Sequence, residues 1–139
     1  MKRAASYARF STDLQNDRSI PDQHADNRKL AKNFQAHVVI ELDDSALSGS
    51  SIKNRPGIQK LIGLVRDGAL DMVVAEATSR ISRDQEDRAY FRKRLEFHGV
   101  EFVTSANGIV TELVDGMTAV VDSQQIRDLR HQVRRGQRG

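Results

Sequence analysis

The chain of 139 residues contains no cysteine, which excludes a disulfide framework, a cysteine-based zinc site and a thiol nucleophile. Its longest apolar runs, such as Val38-Val39-Ile40 and Met72-Val73-Val74-Ala75, stop at about four residues, far short of a membrane span. The opening Met1-Lys2-Arg3-Ala4-Ala5-Ser6-Tyr7 turns polar too soon for a secretory signal, so a cytoplasmic location without membrane association is expected. Neither a GxGxxG turn nor a phosphate-binding P-loop occurs, and His24, His37, His98 and His131 lack ligand spacing with acids. A dinucleotide, ATP or histidine-held metal site therefore has no support, and the four histidines are assigned to surface or core. The sequence also lacks internal repeats and low-complexity tracts.

What is present fits one soluble globular domain: 38% hydrophobic and 29% charged residues in a chain of single-domain length. The net charge of +3 is unevenly placed. Residues 127–139 hold Arg127, Arg130, Arg134, Arg135 and Arg138 against Asp128, a net of +4, so the preceding 126 residues carry −1. Sixteen of the 22 basic residues are arginine, which favours forked recognition of phosphate groups over simple solubility.

Strand-like and helix-like segments alternate. Ala4–Arg9 is a strand; Ser19-Ile20-Pro21-Asp22 starts a helix running to about Gln35, with Ser19 as cap, Pro21 in the first turn and Asp22 closing a capping box. Val38–Leu42 is predicted as a buried strand from its β-branched run, followed by a Ser/Gly-rich loop over 43–54. A second helix begins near Pro56, carries Ile58, Leu61, Ile62 and Val65 on one face and stops at Gly68. Leu70–Ala75 is a third strand, Asp84–His98 a third helix ending at Gly99, Val100–Thr104 a fourth strand, and Ile109–Leu113 a short edge strand. From Asp115 to about Arg135 a long helix is expected, with Met117, Val120, Val121, Ile126, Leu129 and Val133 forming an apolar stripe that a second subunit would cover. The pattern predicts an α/β fold of three layers, α/β/α, around a mostly parallel sheet. The expected division is a core over 1–114 and a helix with basic tail over 115–139.

Ligands of such sheets meet the loops at the carboxyl ends of the strands. Those loops, 10–18, 43–54 and 76–83, bring Arg9, Arg18, Arg55, Arg80 and Arg83 toward one end of the molecule. A serine just past a strand, such as Ser11, is by itself most simply a turn cap. Arginines converging on its hydroxyl instead make a site for a phosphodiester, because each fork donates two hydrogen bonds to phosphoryl oxygens and stabilises the charge that builds there.

Tyr7-Ala8-Arg9-Phe10-Ser11-Thr12 resembles the nucleophile motif of the serine recombinases, the resolvase/invertase family. Ser19-Ile20-Pro21-Asp22-Gln23, then Ser48-Gly49-Ser50-Ser51 through Arg55-Pro56-Gly57, and then Ser79-Arg80-Ile81-Ser82-Arg83-Asp84 are similar to its following blocks. Arg134-Arg135-Gly136-Gln137-Arg138-Gly139 resembles the junction toward the DNA-binding part of the large members. The resemblance spans essentially the whole chain in order and implies a resolvase-like fold. It further implies that Ser11 attacks a DNA phosphodiester to give a 5′-phosphoserine link and a 3′-hydroxyl. Arg9, Arg55, Arg80 and Arg83 would then hold the phosphoryl group, with Gln23 and Ser48 supporting the site and no cofactor taking part. Double-stranded DNA, a homodimer and a tetramer on paired sites are the implied partners. Arg134, Arg135 and Arg138 would touch DNA; since an arginine-rich tail alone cannot read bases, a DNA-reading segment is expected beyond Gly139.

The chain departs from the family at Ser79, where an aspartate is usual. Serine does not titrate near neutral pH, and loss of a general acid–base costs roughly 10²–10⁴-fold in rate. Asp84, Glu76 and Asp44 are the candidate replacements. An alternative reading is a catalytically impaired module of the same fold, acting in assembly and DNA association.

Overall fold

The computed structural model of the protein describes residues 1–9, 19–44, 52–82 and 84–114. Five strands form one sheet in the order β2-β1-β3-β4-β5: β1 is Lys2–Arg9, β2 Ala36–Asp44, β3 Met72–Ala75, β4 Glu101–Thr104 and β5 Gly108–Ile109. The first four are parallel and β5 is antiparallel to β4. Three helices connect them: α1 (Ile20–Asn33), α2 (Pro56–Arg66) and α3 (Gln85–Phe97).

Alternate residues of the central strands feed two separate cores, as the two-residue period of a strand requires. Ala5, Tyr7, Val73, Ala75 and Phe102 pack with Ile58, Leu61 and Val65 of α2 and with Phe91 and Leu95 of α3. Ala4, Met72, Val74 and Val103 pack with Ala31 of α1 on the opposite face. The alanines of β1 are fully buried and bring helices close on both sides of it. Three layers result.

Helix limits follow local chemistry. Ser19 caps α1 by accepting from the Asp22 N–H at 3.2 Å, with Pro21 in the first turn. Asp84 caps α3 through the Glu86 N–H at 3.2 Å. Gly68 and Gly99 adopt φ of 75° and 69° just past α2 and α3, a left-handed turn that glycine enters without steric cost.

Two expectations are corrected. β2 is not a buried strand but a sheet edge, with exposed residues alternating along it and Val39 turned outward; among the described residues, one of its sides has no strand to pair with. The edge strand expected at Ile109–Leu113 is only Gly108–Ile109, and residues 112–114 are already helical. The long helix expected over 115–135 lies outside the described residues, as do the basic tail and the boundary at 115.

The chain leaves β1 for β2 on one side and returns across it to β3 on the other. The strand order therefore reverses between β1 and β3, and the carboxyl ends of these two strands are where ligands of such sheets bind.

Candidate active site at the ends of the first and third strands

Arg9 is the last residue of β1 and lies at that reversal of strand order. Its main chain is gripped from two directions. Gln23, fully buried in the first turn of α1, accepts from the Arg9 N–H at 3.2 Å and donates Nε2 to the Arg9 carbonyl at 3.0 Å. One side-chain amide thus satisfies both polar groups of the peptide backbone, as a neighbouring strand would. Arg80 donates Nη1 to the same carbonyl at 3.0 Å, reaching across from the 3₁₀ turn Thr78–Arg80 that follows β3. The β1 exit, two residues before Ser11, is held by α1 and by the β3 exit together.

Arg55 lies between β2 and α2, extended as the residue before a proline must be. Its side chain is 0% exposed. Nη1 donates to the Arg80 carbonyl at 3.2 Å and to the Tyr7 hydroxyl at 3.4 Å, and Nη2 donates to the Ile81 carbonyl. The guanidinium is turned inward as a tie between the α2 start and the turn that carries Arg80. Charged donors to carbonyls are the stronger class of hydrogen bond, which suits a cation kept out of water.

Asp44, buried at the end of β2, supplies the cap that Arg55 at the α2 N-cap position lacks. Its carboxylate accepts from the N–H groups of Gly57 at 2.7 Å and Ile58 at 3.0 Å, and from the Tyr7 hydroxyl at 2.7 Å. Negative charge at a helix start is also favoured by the helix dipole. The approach is so close that a Cβ on Gly57 would fall 2.5 Å from the Asp43 carbonyl oxygen. Burial, then the bond to Asp44, pushes the Tyr7 hydroxyl far above its ordinary range; Tyr7 remains a proton donor.

Glu76, one residue past β3, pairs with Arg80 Nη2 at 3.1 Å. Ser79, in the same turn, is exposed. Asp84 caps α3 and Asp44 caps α2, so of the three acids considered as replacements at position 79 only Glu76 pairs with a site arginine among the described residues. On the other face of β1, Ser6 Oγ lies 2.6 Å from Nδ1 of His24, and Asn27 donates to Ser6 Oγ at 2.9 Å. Ser6 is fully buried, which makes this cluster a core tie between β1 and α1.

Of the expected site residues, the structure brings Arg9, Arg80, Arg55 and Gln23 into one linked network. Ser79 belongs to the same turn with its side chain outward. Ser11, Ser48, Arg83, Arg134, Arg135 and Arg138 lie outside the described residues. Tyr7 is an addition, while Asp44 and Glu76, named above as replacements for position 79, enter as the cap of α2 and the partner of Arg80. A spacing of four from Arg80 could have marked Glu76 as its partner, whereas Asp44 precedes the amides it caps by 13 and 14 residues, a separation with no local signature.

Comparison with known proteins supplies the context. The family model of the resolvase N-terminal domain matches residues 4–139. The N-terminal catalytic domain of TP901-1 integrase superposes with a TM-score of 0.69 at 23% identity, covering 95% of this chain and 98% of that one. The C-terminal catalytic domain of ISC1926 TnpA, an IS607-like serine recombinase, gives 0.63 at 28% identity over 89% and 84%. A resolvase family site-specific recombinase from Streptococcus pneumoniae gives 0.64 at 18% identity over 98% and 95%. No curated protein matches by sequence. At identities below a quarter, the first and third likenesses speak for the fold.

Proposed function

The chain belongs to the resolvase family of serine recombinases, as a catalytic domain, and from that premise we propose that it cuts and rejoins duplex DNA through a covalent bond to Ser11. The Ser11 oxygen bonds to phosphorus while the bond from phosphorus to the 3′-oxygen breaks. The serine proton is lost and the departing 3′-oxygen takes one up, leaving a 5′-phosphoserine and a 3′-hydroxyl. Rejoining runs the same exchange backward with a new 3′-hydroxyl. One phosphodiester replaces another, so no nucleotide energy source is needed.

Arg80, with Arg9 and Arg83, neutralises charge on the phosphoryl oxygens as it develops. Arg55 adds positive charge from behind and fixes the turn that carries Arg80. Gln23 sets the direction in which the chain leaves β1 toward Ser11, and Ser48 supports the site from the second loop. Dimers pair into a tetramer on DNA through the segment 115–135, and Arg134, Arg135 and Arg138 run along the phosphate backbone. The observation that carries this reading is the Arg9 carbonyl, held by Gln23 and Arg80 at once: a family nucleophile two residues onward starts from a fixed point beside a cation.

The test is covalent trapping. The chain, joined to a DNA-binding domain of known site, is mixed with nicked duplexes whose core between two such sites is randomised. A protein–DNA adduct resistant to denaturation is expected, and Ser11→Ala should abolish it. If the parent forms no adduct but Ser79→Asp does, the chain is the impaired module instead. Silence from both refutes strand cleavage.

A further inference from the structure

We propose that Glu76 is the positioning residue for Arg80, so that the carboxylate on which this site depends sits one residue past β3 rather than at position 79. The inference rests on the strand-cleavage reading above. An arginine side chain has several rotatable bonds, and a cation useful in a transition state must have its plane fixed before the charge develops. Arg80 is fixed at both terminal nitrogens: Nη1 on the Arg9 carbonyl at 3.0 Å, Nη2 on Glu76 Oε1 at 3.1 Å. The two anchors come from the ends of β1 and β3, the strands between which the order reverses.

Glu76 is itself firmly mounted. It follows a strand whose four residues are all buried. Its carbonyl accepts from Ser105 Oγ at 2.9 Å and from the Ala106 N–H at 3.2 Å, while the Ser105 N–H donates to the Ala75 carbonyl at 3.3 Å. The turn after β4 thereby pins the peptide that carries the carboxylate. The pair is also sheltered, with side chains 13% and 24% exposed for Arg80 and Glu76, so salt screens it less than a surface pair.

A carboxylate beside a phosphate-binding cation has two opposed effects. It lowers the local positive charge, which weakens ground-state attraction for DNA, and it orients the fork, which favours the chemical step. Glu76→Gln separates them because it keeps the shape and removes the charge. In the adduct assay at saturating DNA, Glu76→Gln should slow the cleavage step about 10²-fold, with half-saturating DNA unchanged or lower. Glu76→Asp should recover part of the rate, and Glu76→Gln added to Arg80→Lys should slow it no further, since residues acting through one another are not additive. Thermal unfolding of each variant identifies any that fails to fold, and the Asp variant then decides.

If the parent forms adducts and Glu76→Gln matches its rate, the role of Glu76 is wrong while strand cleavage stands. The role also falls if the losses from Glu76→Gln and Arg80→Lys simply multiply. A parent that forms no adduct unless Ser79 is changed to Asp overturns it as well, because Glu76 then does not supply what position 79 lacks.

Discussion

At the amino end of the sheet, Arg3 lays its fork on Asp71 through Nε at 3.1 Å and Nη2 at 3.2 Å, and Lys2 pairs with Glu101. At the carboxyl end, Arg55 meets no carboxylate among the described residues and gives its donors to two main-chain carbonyls and a hydroxyl. The first arrangement is half in water, with each cation matched to one acid. The second is buried and leaves positive charge unmatched by the groups that hold it. Surface pairs of the first kind contribute little to stability, and one end of the sheet is therefore electrically quiet. Held by carbonyls rather than by a surface acid, the Arg55 guanidinium ties the α2 start to the turn after β3, a tertiary role that the pairs at the amino end do not have.

The largest contrast is expected between Arg55 and Arg3. Arg55→Met keeps most of the side-chain volume but leaves the carbonyls of Arg80 and Ile81 without these donors, which should cost about 3 kcal/mol in urea unfolding. Adduct formation should fall with it, because the turn that carries Arg80 loses its tie. Arg3→Met should lower the unfolding midpoint at neutral pH only slightly, by the small contribution of a half-exposed pair, and leave adduct formation close to the parent. Equal losses from the two variants would show that the ends of the sheet hold arginine alike.

A smaller loss is expected at Gly57. The backbone there is near enough to Asp43 that an added methyl group must displace a carbonyl oxygen 2.5 Å away. Gly57→Ala should destabilise the protein by about 2 kcal/mol, and it should also loosen the cap that Asp44 forms on α2. Gly63, inside the same helix, has only the end of the Arg66 side chain within reach at 3.8 Å. Gly63→Ala should stabilise slightly, since alanine is the better helix former. A neutral Gly57→Ala would mean that the α2 start shifts freely, and the comparison between a fixed and a compliant region would fail there.

How much of this was legible in the sequence differs between the same two regions. Helix limits were readable because Ser19, Pro21, Asp22, Gly68 and Gly99 act within a turn of their own position. The edge position of β2 was not, because the run Val38-Val39-Ile40 is as apolar as a buried strand and sheet order is settled by distant pairing. Arg9 and Arg80 could be placed at the carboxyl end of the sheet because one ends β1 and the other follows β3 by a short turn. The inward turn of Arg55 was not foreseen, since an arginine before a proline carries no mark of which way it faces. Gln23 was expected to support the site, but its grip on both polar groups of Arg9 depends on how α1 is set against β1. Asp44 was considered as a replacement acid for position 79; that it caps α2 instead is a tertiary fact.

The two ends should also part on acidification, and this is the smallest effect expected. His24 is nearly buried against Ser6 and Asn27, with Asp43 Oδ2 3.9 Å from its Nε2 and the charges of Glu41 and Arg28 nearby. Burial outweighs those acids and holds the imidazole below its ordinary value of 6.5. Below pH 6.5 the unfolded chain binds a proton that the native state resists, so this contribution is complete above 6.5 and is lost as the pH falls toward the native value. Asp71 is held at about 2, against an ordinary 3.8, chiefly by its hydrogen bond from the Arg3 side chain. Its contribution is complete above 3.8 and is lost as the pH falls through about 2. Urea midpoints followed from pH 8 to pH 2 should show two separate declines. His24→Asn, whose amide can meet Ser6 in place of Nδ1, should remove the first decline and keep the second. Arg3→Met should do the reverse. A midpoint that stays level between pH 7 and pH 5 in the parent would show that water reaches His24, and the tie between α1 and β1 that sets Gln23 against Arg9 would then be looser than its 2.6 Å contact implies.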